Sequence, residues 1–408
     1  MFLPYASDFK PARSPVITTG LIGVLTVFTI LVVFGGRLGR AWAGTELLAR
    51  WGIVPAHFEM ITLLTYLFLH ESFGHLLVNL FYLITFGAGA EAALGRPRFA
   101  LLFIASGAVG GALQWLVVDT MLSPEQANIP IVGASAGCAG IIGIFAARYY
   151  RAHIHFTGIK RSPHVVTVVG VFLVYEILCG AWHLVTGNLG AGVANWAHIG
   201  GFLFGLGYAR VLNLGETGSR AYLSEDAQQS MKRSLPGDAI KRWEILLARE
   251  PNNAMARGEM ARAWLLLGDT EQAQTHFQQA IIAYLAQNKR SEAALLYAEM
   301  RDSLPSQGLE SRDGELSSAQ LFILGGALED LEQFPLAADT LRAVSIRAPD
   351  TPEAETALLK VISIYARRLN RREEANVLLR LFREKYPHSA WRNLAEDLRR
   401  EIQDSSTK

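Results

Sequence analysis

One serine, Ser135, lies in a Gly-Ala-Ser-Ala-Gly run, and side chains that could assist it lie in other apolar segments. His75 and Asn79 fall in one such segment, and His198 falls in another. A serine hydroxyl becomes a nucleophile when a base takes its proton, and further donors stabilise the oxyanion that then forms. These residue types together predict serine-type acyl transfer. Taken alone, Ser135 would equally suit helix packing or helix capping.

The histidines of the first of these segments have distinct positions. His75 and Asn79 are four residues apart, so they share one face of a helix. His70 lies five residues before His75 and is expected at or before the helix start. A zinc-protease motif, His-Glu-x-x-His, needs histidines four apart, and no third ligand is evident. A metal site is therefore the weaker interpretation.

His198 lies just before a G-x-x-x-G pattern formed by Gly201 and Gly205. This pattern is typical of helices that pack closely together in membranes. Close packing against the helix that follows Ser135 would bring His198 to the serine hydroxyl. The alternative is that His198 bonds a backbone carbonyl and has no chemical role.

Six apolar segments are long enough to cross a membrane, and the second, fourth and sixth carry the candidate residues near their starts. Alternate spans run in the same direction, so these polar groups should lie at one depth. Polar groups inside a membrane are costly and tend to be functional. The predicted spans are 16–34, 74–90, 99–118, 131–147, 165–185 and 195–214.

Positive charges predict the orientation of these spans. The loops 119–130 and 186–194 contain no Lys or Arg. Most of the Lys and Arg residues in residues 1–219 lie in the amino-terminal segment and the loops on the opposite side of the predicted spans. Cytoplasmic loops are enriched in these residues. The pattern therefore places both termini in the cytoplasm and the candidate site near the outer face.

Charge divides the chain into two parts. Residues 1–219 hold 21 charged side chains and residues 220–408 hold 54, which predicts a membrane domain followed by a soluble one. We assign residues 1–214 to the membrane domain, 215–237 to a polar linker and 238–408 to the soluble domain. The net charge of +1 gives no reason to expect a nucleic-acid partner.

The soluble part contains a degenerate repeat. An Ala is followed by an apolar residue four positions on, another seven on and a Pro twelve on. The Ala permits close helix contact and the Pro stops the helix. This resembles the second helix of tetratricopeptide repeats, which bind proteins, so an unidentified cytoplasmic protein partner is expected. An ordinary helical bundle is the alternative. The repeats start at Ala239, Ala293, Ala337 and Ala375, with a version lacking the proline at Ala273, and the prolines are Pro251, Pro305, Pro349 and Pro387.

Residues 15–214 resemble the rhomboid family of intramembrane serine proteases, through the order and segment positions of the residues above. The resemblance implies an all-α fold: a polytopic six-helix membrane bundle, here followed by a soluble α-helical repeat domain. It implies that Ser135 is the nucleophile and His198 the base, and that His75, Asn79 and the Ser135 backbone N–H form the oxyanion site. It also implies structural roles near the site for His70, Gly133, Gly201 and Gly205.

The resemblance also implies where the protein acts and on what. No metal or cofactor is expected, and the substrates would be single-pass membrane proteins within the lipid bilayer. A multi-pass position in a bacterial inner membrane is expected. The rival interpretation is a catalytically silent rhomboid-like adaptor that binds membrane proteins and recruits a cytoplasmic partner.

Overall fold

The computed structural model describes residues 4–35, 43–121, 123–187, 194–304 and 314–404. The chain forms two compact units that divide between Ser219 and Arg220. The first unit contains the apolar helices, and the second contains the charged half of the sequence. Pro305 and most of the loop 186–194, which entered the predictions above, lie outside the described residues.

The first unit is almost entirely helical. A π-helical turn, Leu83–Gly87, joins two of its helices into one continuous segment, and 3₁₀ turns occur at Pro55–His57 and Tyr66–Phe68. The helices are α1 Val16–Gly35, α2 Ala43–Trp51, α3 Thr62–Thr65, α4 Phe73–Tyr82, α5 Ala88–Leu94, α6 Arg96–Met121, α7 Pro124–Ala127, α8 Ser135–Arg148, α9 Val165–Thr186 and α10 Asn195–Val211.

Each predicted span coincides with a helical segment, but the segments differ in length. Within the described ranges, four helical segments are long and apolar enough to cross a membrane: Val16–Phe34, Phe73–Leu94, Arg96–Met121 and Val165–Thr186. Helix α8 has 14 residues and α10 has 17, so the count of six spans stays a prediction.

The fourth segment begins later than the sequence suggested. Its helix starts at Ser135 rather than at Ile131, because Ile131 pairs with Ile53 in an antiparallel bridge. Gly133 then adopts a φ of +125°, which ends the extended stretch two residues before the serine. An extended chain followed by a sharp turn therefore presents Ser135 at the start of a helix.

Helix α8 lies at the centre of this unit. All its residues from Ala136 to Phe145 are buried, and it packs against α6 and α10. Helix α9, in contrast, exposes large apolar side chains such as Val171 and Leu178. An exposed apolar face of this length suits contact with lipid. Helix α8 can be short because other helices, rather than lipid, surround it.

A small sheet in this unit was not suggested by the sequence. Strand β1, Pro4–Ser7, pairs antiparallel with β2, Ile154–Phe156. The sheet joins the amino-terminal segment to the connection between α8 and α9. Its strands are too short for a periodic pattern to be recognised.

A helix that crosses the boundary at Ser219 and Arg220 leads into the second unit, where each of the helices after it packs on the next. The segment 215–237, predicted as a linker, lies largely within the helix α11. The helices are α11 Leu214–Lys232, α12 Pro236–Arg249, α13 Ala254–Leu266, α14 Thr270–Ala286, α15 Arg290–Ser303, α16 Ser318–Asp330, α17 Phe334–Arg347, α18 Pro352–Arg367, α19 Arg372–Lys385 and α20 Arg392–Asp404.

The repeat pattern marks the core of this unit. Its alanines and apolar partners are buried: Ala239 with Trp243 and Leu246, Ala293 with Tyr297 and Met300, Ala337 with Leu341 and Val344, Ala375 with Leu379 and Phe382, and Ala273 with Phe277 and Ala280. Side chains at the helix starts accept backbone N–H bonds, as Asn253 does from Ala256 and Asp269 from Gln272. Such caps satisfy donors that a helix leaves free.

Candidate active site

Ser135 and His198 lie in hydrogen-bonding contact. The Ser135 Oγ is 2.7 Å from the His198 Nε2, although the two residues are 63 positions apart in the chain. Ser135 is the first residue of α8, and His198 lies in the first turn of α10. A serine that donates its proton to a histidine nitrogen has the geometry of an activated nucleophile.

The start of α10 is held in place by a side chain from α6. The Gln114 Oε1 accepts hydrogen bonds from the backbone N–H groups of Trp196 and Ala197, at 3.0 and 3.2 Å. Gln114 is buried. Because the first N–H groups of a helix have no partner within it, this bond both satisfies them and fixes the turn that carries His198.

Glycines set the distance between α8 and α10. A Cβ atom at Gly201 would lie 2.1 Å from the Ala136 carbonyl oxygen, and one at Gly205 would lie 2.2 Å from that of Gly140. No real side chain fits at such distances. The two helices therefore approach each other through the G-x-x-x-G face, and this approach brings His198 to the serine.

A glutamate that sequence reasoning missed lies on the far side of the histidine ring. The Glu176 Oε1, from α9, is 3.0 Å from the His198 Nδ1, and its Oε2 accepts a 2.7 Å hydrogen bond from the Asn195 Nδ2. The Nδ1–H is not yet aligned with the carboxylate. Catalytic hydrogen bonds are often poorly aligned before substrate binds. The sequence did contain a signal that could have indicated Glu176, because it is a lone carboxylate inside an apolar segment.

His70 lies in a buried chain of hydrogen bonds rather than in the cavity. The Thr29 hydroxyl donates to the Leu25 carbonyl, at 2.8 Å, and its oxygen is 3.2 Å from the His70 Nδ1. The His70 Nε2 is 3.2 Å from the Asn79 Nδ2. Since the threonine proton is already used, His70 must donate from Nδ1 and accept at Nε2. The chain connects α1 to α4 through a neutral ring.

His75 and Asn79 both border the site. A Cβ atom at Gly133 would lie 2.7 Å from the His75 ring, so the glycine and the imidazole are in direct contact. The Asn79 Nδ2 is 3.2 Å from the His75 carbonyl oxygen as well as bonded to His70. Both amide N–H groups are therefore engaged in this state, while the Asn79 Oδ1 is buried without a hydrogen bond.

The candidate residues surround a common cavity of about 290 Å³. Its wall is largely apolar, and besides the groups described above it includes the polar side chains of Tyr82, Cys138, Tyr175 and Glu71. The Glu71 carboxylate lies 3.9 Å from the His75 Nδ1. It is lined by Glu71, His75, Val78, Asn79, Tyr82, Val132, Ser135, Cys138, Ala139, Ile142, Phe172, Tyr175, Glu176, Ala194 and His198.

Family models match part of each unit. The rhomboid domain model matches residues 57–214, and a tetratricopeptide repeat model matches residues 356–389, which span α18 and α19. The chain therefore carries a rhomboid domain followed by a helical region with a tetratricopeptide repeat. Together with its apolar helices, the rhomboid domain makes the chain a multi-pass integral membrane protein.

Several curated proteins are similar to the membrane unit. RHOMBOID-like protein 4 of Arabidopsis thaliana is 33% identical over 34% of this chain, and Rhomboid-like protease 3 of Toxoplasma gondii is 28% identical over 46%. Rhomboid protease GluP of Bacillus subtilis is 26% identical over 48%. The matches span 30%, 66% and 34% of those relatives, which is at most about two thirds of their own length.

One solved structure also matches part of this chain. Nearly identical TPR-like repeats from Podosopora anserina match at 20% identity, over 41% of this chain and 95% of that chain, with a TM-score of 0.17. The tetratricopeptide match within residues 356–389 suggests that this unit takes part in protein–protein interaction.

Proposed function

We propose that this protein is an intramembrane serine endopeptidase that cleaves the membrane segments of single-pass proteins. The observation that carries the proposal is the 2.7 Å contact between the Ser135 Oγ and the His198 Nε2, at the wall of a cavity. The rhomboid domain supports the proposal, since relatives named as proteases share it.

The chemistry would proceed through an acyl-enzyme. The Ser135 Oγ attacks the scissile carbonyl carbon while its proton moves to the His198 Nε2. The resulting tetrahedral intermediate loses its C–N bond as the imidazolium returns that proton to the departing amine. Water, deprotonated by the same nitrogen, then attacks the ester and releases the acid product and the free serine. The cavity must admit water for this second step.

The oxyanion would form near three donors. The Ser135 backbone N–H belongs to the first residue of α8, where helical N–H groups have no intrahelical partner. The His75 ring lies beside Gly133 on the same wall. The Asn79 side-chain amide donates one N–H to the His70 ring and the other to the His75 carbonyl oxygen. One of these two hydrogen bonds must break before Asn79 can donate to the oxyanion. Substrate binding would therefore include a rearrangement of Asn79.

The location of the site suggests the class of substrate. Peptide bonds within a membrane helix are shielded by helical hydrogen bonds, so a segment must unwind before its carbonyl can be attacked. We infer from the Lys and Arg pattern that the site lies near the outer face and that both termini are cytoplasmic, and from the family resemblance that the membrane is a bacterial inner membrane. Cleavage would then occur near the outer end of a membrane segment, while the helical repeats bind a cytoplasmic protein.

Cleavage of a single-pass membrane substrate in liposomes tests the proposal. We expect the wild-type protein to release two fragments, and Ser135→Ala and His198→Ala to release none while retaining the wild-type melting temperature. Cleavage that survives Ser135→Ala would exclude the serine mechanism, and loss of that residual activity with a chelator would indicate a metal site. A wild-type protein that binds several such substrates without cutting them would instead be an adaptor.

A further inference from the structure

We propose that Glu176 is a positioning residue for His198, so that the site operates as a Ser135–His198–Glu176 triad. This inference rests on the proposed proteolytic function and extends it to a third residue. Neither the family resemblance nor the sequence pattern pointed to Glu176, and the geometry of α9 and α10 carries the inference.

Ser135, His198 and Glu176 lie in a row, with the imidazole between the hydroxyl and the carboxylate. The His198 ring has the serine hydroxyl at 2.7 Å from one nitrogen and the Glu176 carboxylate at 3.0 Å from the other. An imidazole that accepts a proton at Nε2 must carry its proton on Nδ1. The carboxylate is therefore adjacent to the nitrogen that has to be protonated for the serine to be activated.

The carboxylate of Glu176 is buried in the membrane unit. The Glu176 side chain is 4% exposed, and burying a charge is costly unless it is paired and hydrogen-bonded. Asn195 binds one carboxylate oxygen, at 2.7 Å, and this bond turns the other oxygen toward His198. Asn195 also begins α10, so the same helix turn supplies both the base and the group that orients the carboxylate.

In the proposed reaction, positive charge develops on the His198 ring. When the Ser135 proton reaches Nε2, the ring becomes a cation in a largely apolar environment. A carboxylate at 3.0 Å stabilises that cation, and it can do so without itself accepting a proton. Because catalytic hydrogen bonds often align only when substrate binds, the contact between Nδ1 and Oε1 is expected to become a hydrogen bond in the substrate complex.

Glu176→Gln tests the inference because it keeps the shape and removes the charge. Its amide would donate to Nδ1 and so favour the tautomer that cannot accept the serine proton. We expect kcat to fall by roughly 10²-fold or more with KM nearly unchanged, since amide replacement of a triad acid lowers kcat about 10⁴-fold elsewhere. Labelling of Ser135 by a fluorophosphonate should slow in parallel.

Glu91→Gln is the matched control. Glu91 is also buried in the membrane unit, where its carboxylate accepts bonds from the Ile17 N–H, at 3.1 Å, and from the N–H and hydroxyl of Thr18, both at 2.8 Å. The same substitution there should lower the melting temperature and leave kcat of the folded protein unchanged. A role for Glu176 that is only structural would make the two variants alike.

The outcomes separate this inference from the proposed function. A wild-type kcat in Glu176→Gln, with Ser135→Ala inactive, would overturn the triad and leave the protease proposal intact. A wild-type protein that is neither active nor labelled would overturn both. If Glu176→Gln does not fold, kcat and KM are measured for Asn195→Ala instead. A fall in kcat of that variant at constant KM supports the triad, and an unchanged kcat overturns it.

Discussion

Gly133 shows how a single residue can fix the geometry of the candidate site. Its φ of +125° lies in a region that side chains rarely adopt, and the His75 ring occupies the space where a Cβ atom would be. Its N–H donates to the Tyr66 carbonyl, at 2.9 Å, which secures the turn. The residue thus meets a conformational and a steric requirement at once, two positions before Ser135.

Gly133→Ala should therefore be more harmful than an alanine at another positive-φ glycine. We expect it to destabilise the membrane unit by about 1–3 kcal/mol and to reduce cleavage, because the added Cβ displaces His75. Gly95→Ala is the control, since Gly95 has a φ of +76° and open space around its Cβ position. Thermal unfolding in detergent and the cleavage rate would be compared. Equal losses in both variants would contradict the steric argument.

The residues of the site were predictable to different degrees. Ser135, His198 and His75 could be singled out because each is a reactive type within an apolar segment. Glu176 offered the same signal, but a lone glutamate suggests no particular partner until α9 and α10 are folded. The hydrogen bonds of Asn79 with His70 also depend on where the chain before α4 runs, which no spacing along the sequence specifies.

At the scale of elements, the pair α8 and α10 determines whether the chemistry is possible. Their glycines bring the two backbones into contact, and Gln114 of α6 fixes the first turn of α10. The G-x-x-x-G pattern predicted close packing, but the sequence could not show which face of α8 would meet it. The helix start at Ser135 was also not predictable, because the bridge between Ile131 and Ile53 is a long-range contact.

Gly205→Ala and Gly207→Ala form a matched pair on α10. A Cβ atom at Gly205 would overlap the Gly140 backbone, whereas Gly207 has open space. We expect Gly205→Ala to separate the two helices, lower the melting temperature by several degrees and reduce cleavage. Gly207→Ala should be neutral or stabilising by up to about 1 kcal/mol, because alanine favours the helix. A harmless Gly205→Ala would show that the helices can repack.

At the scale of the whole molecule, the chain separates two kinds of helix packing. The membrane unit uses glycine contacts and buried polar bonds, and its outer helices expose apolar side chains. The second unit buries alanine and larger apolar residues and exposes its charges. The chain divides into these units between Ser219 and Arg220, and the charge density of the sequence changes within residues 215–237.

Cysteine accessibility tests the predicted orientation of the membrane unit. In a variant with Cys138 and Cys179 replaced by alanine, Glu125→Cys should react with a membrane-impermeant maleimide in intact cells. Arg161→Cys should react only after the membrane is permeabilised, because the loop with the positive charges is expected inside. Both positions are exposed. The reverse labelling pattern would invert the topology and place the site at the inner face.

The order in which the membrane unit is synthesised gives the triad a further consequence. Ser135 leaves the ribosome first, Glu176 second, and His198 with Asn195 last, because the base and the anchor of the carboxylate both belong to α10. In the proposed mechanism, a nascent chain would therefore hold a nucleophile without a base until α10 is in place. The proposed protease would therefore stay inert during its own biogenesis, while it is surrounded by the membrane segments of other newly made proteins.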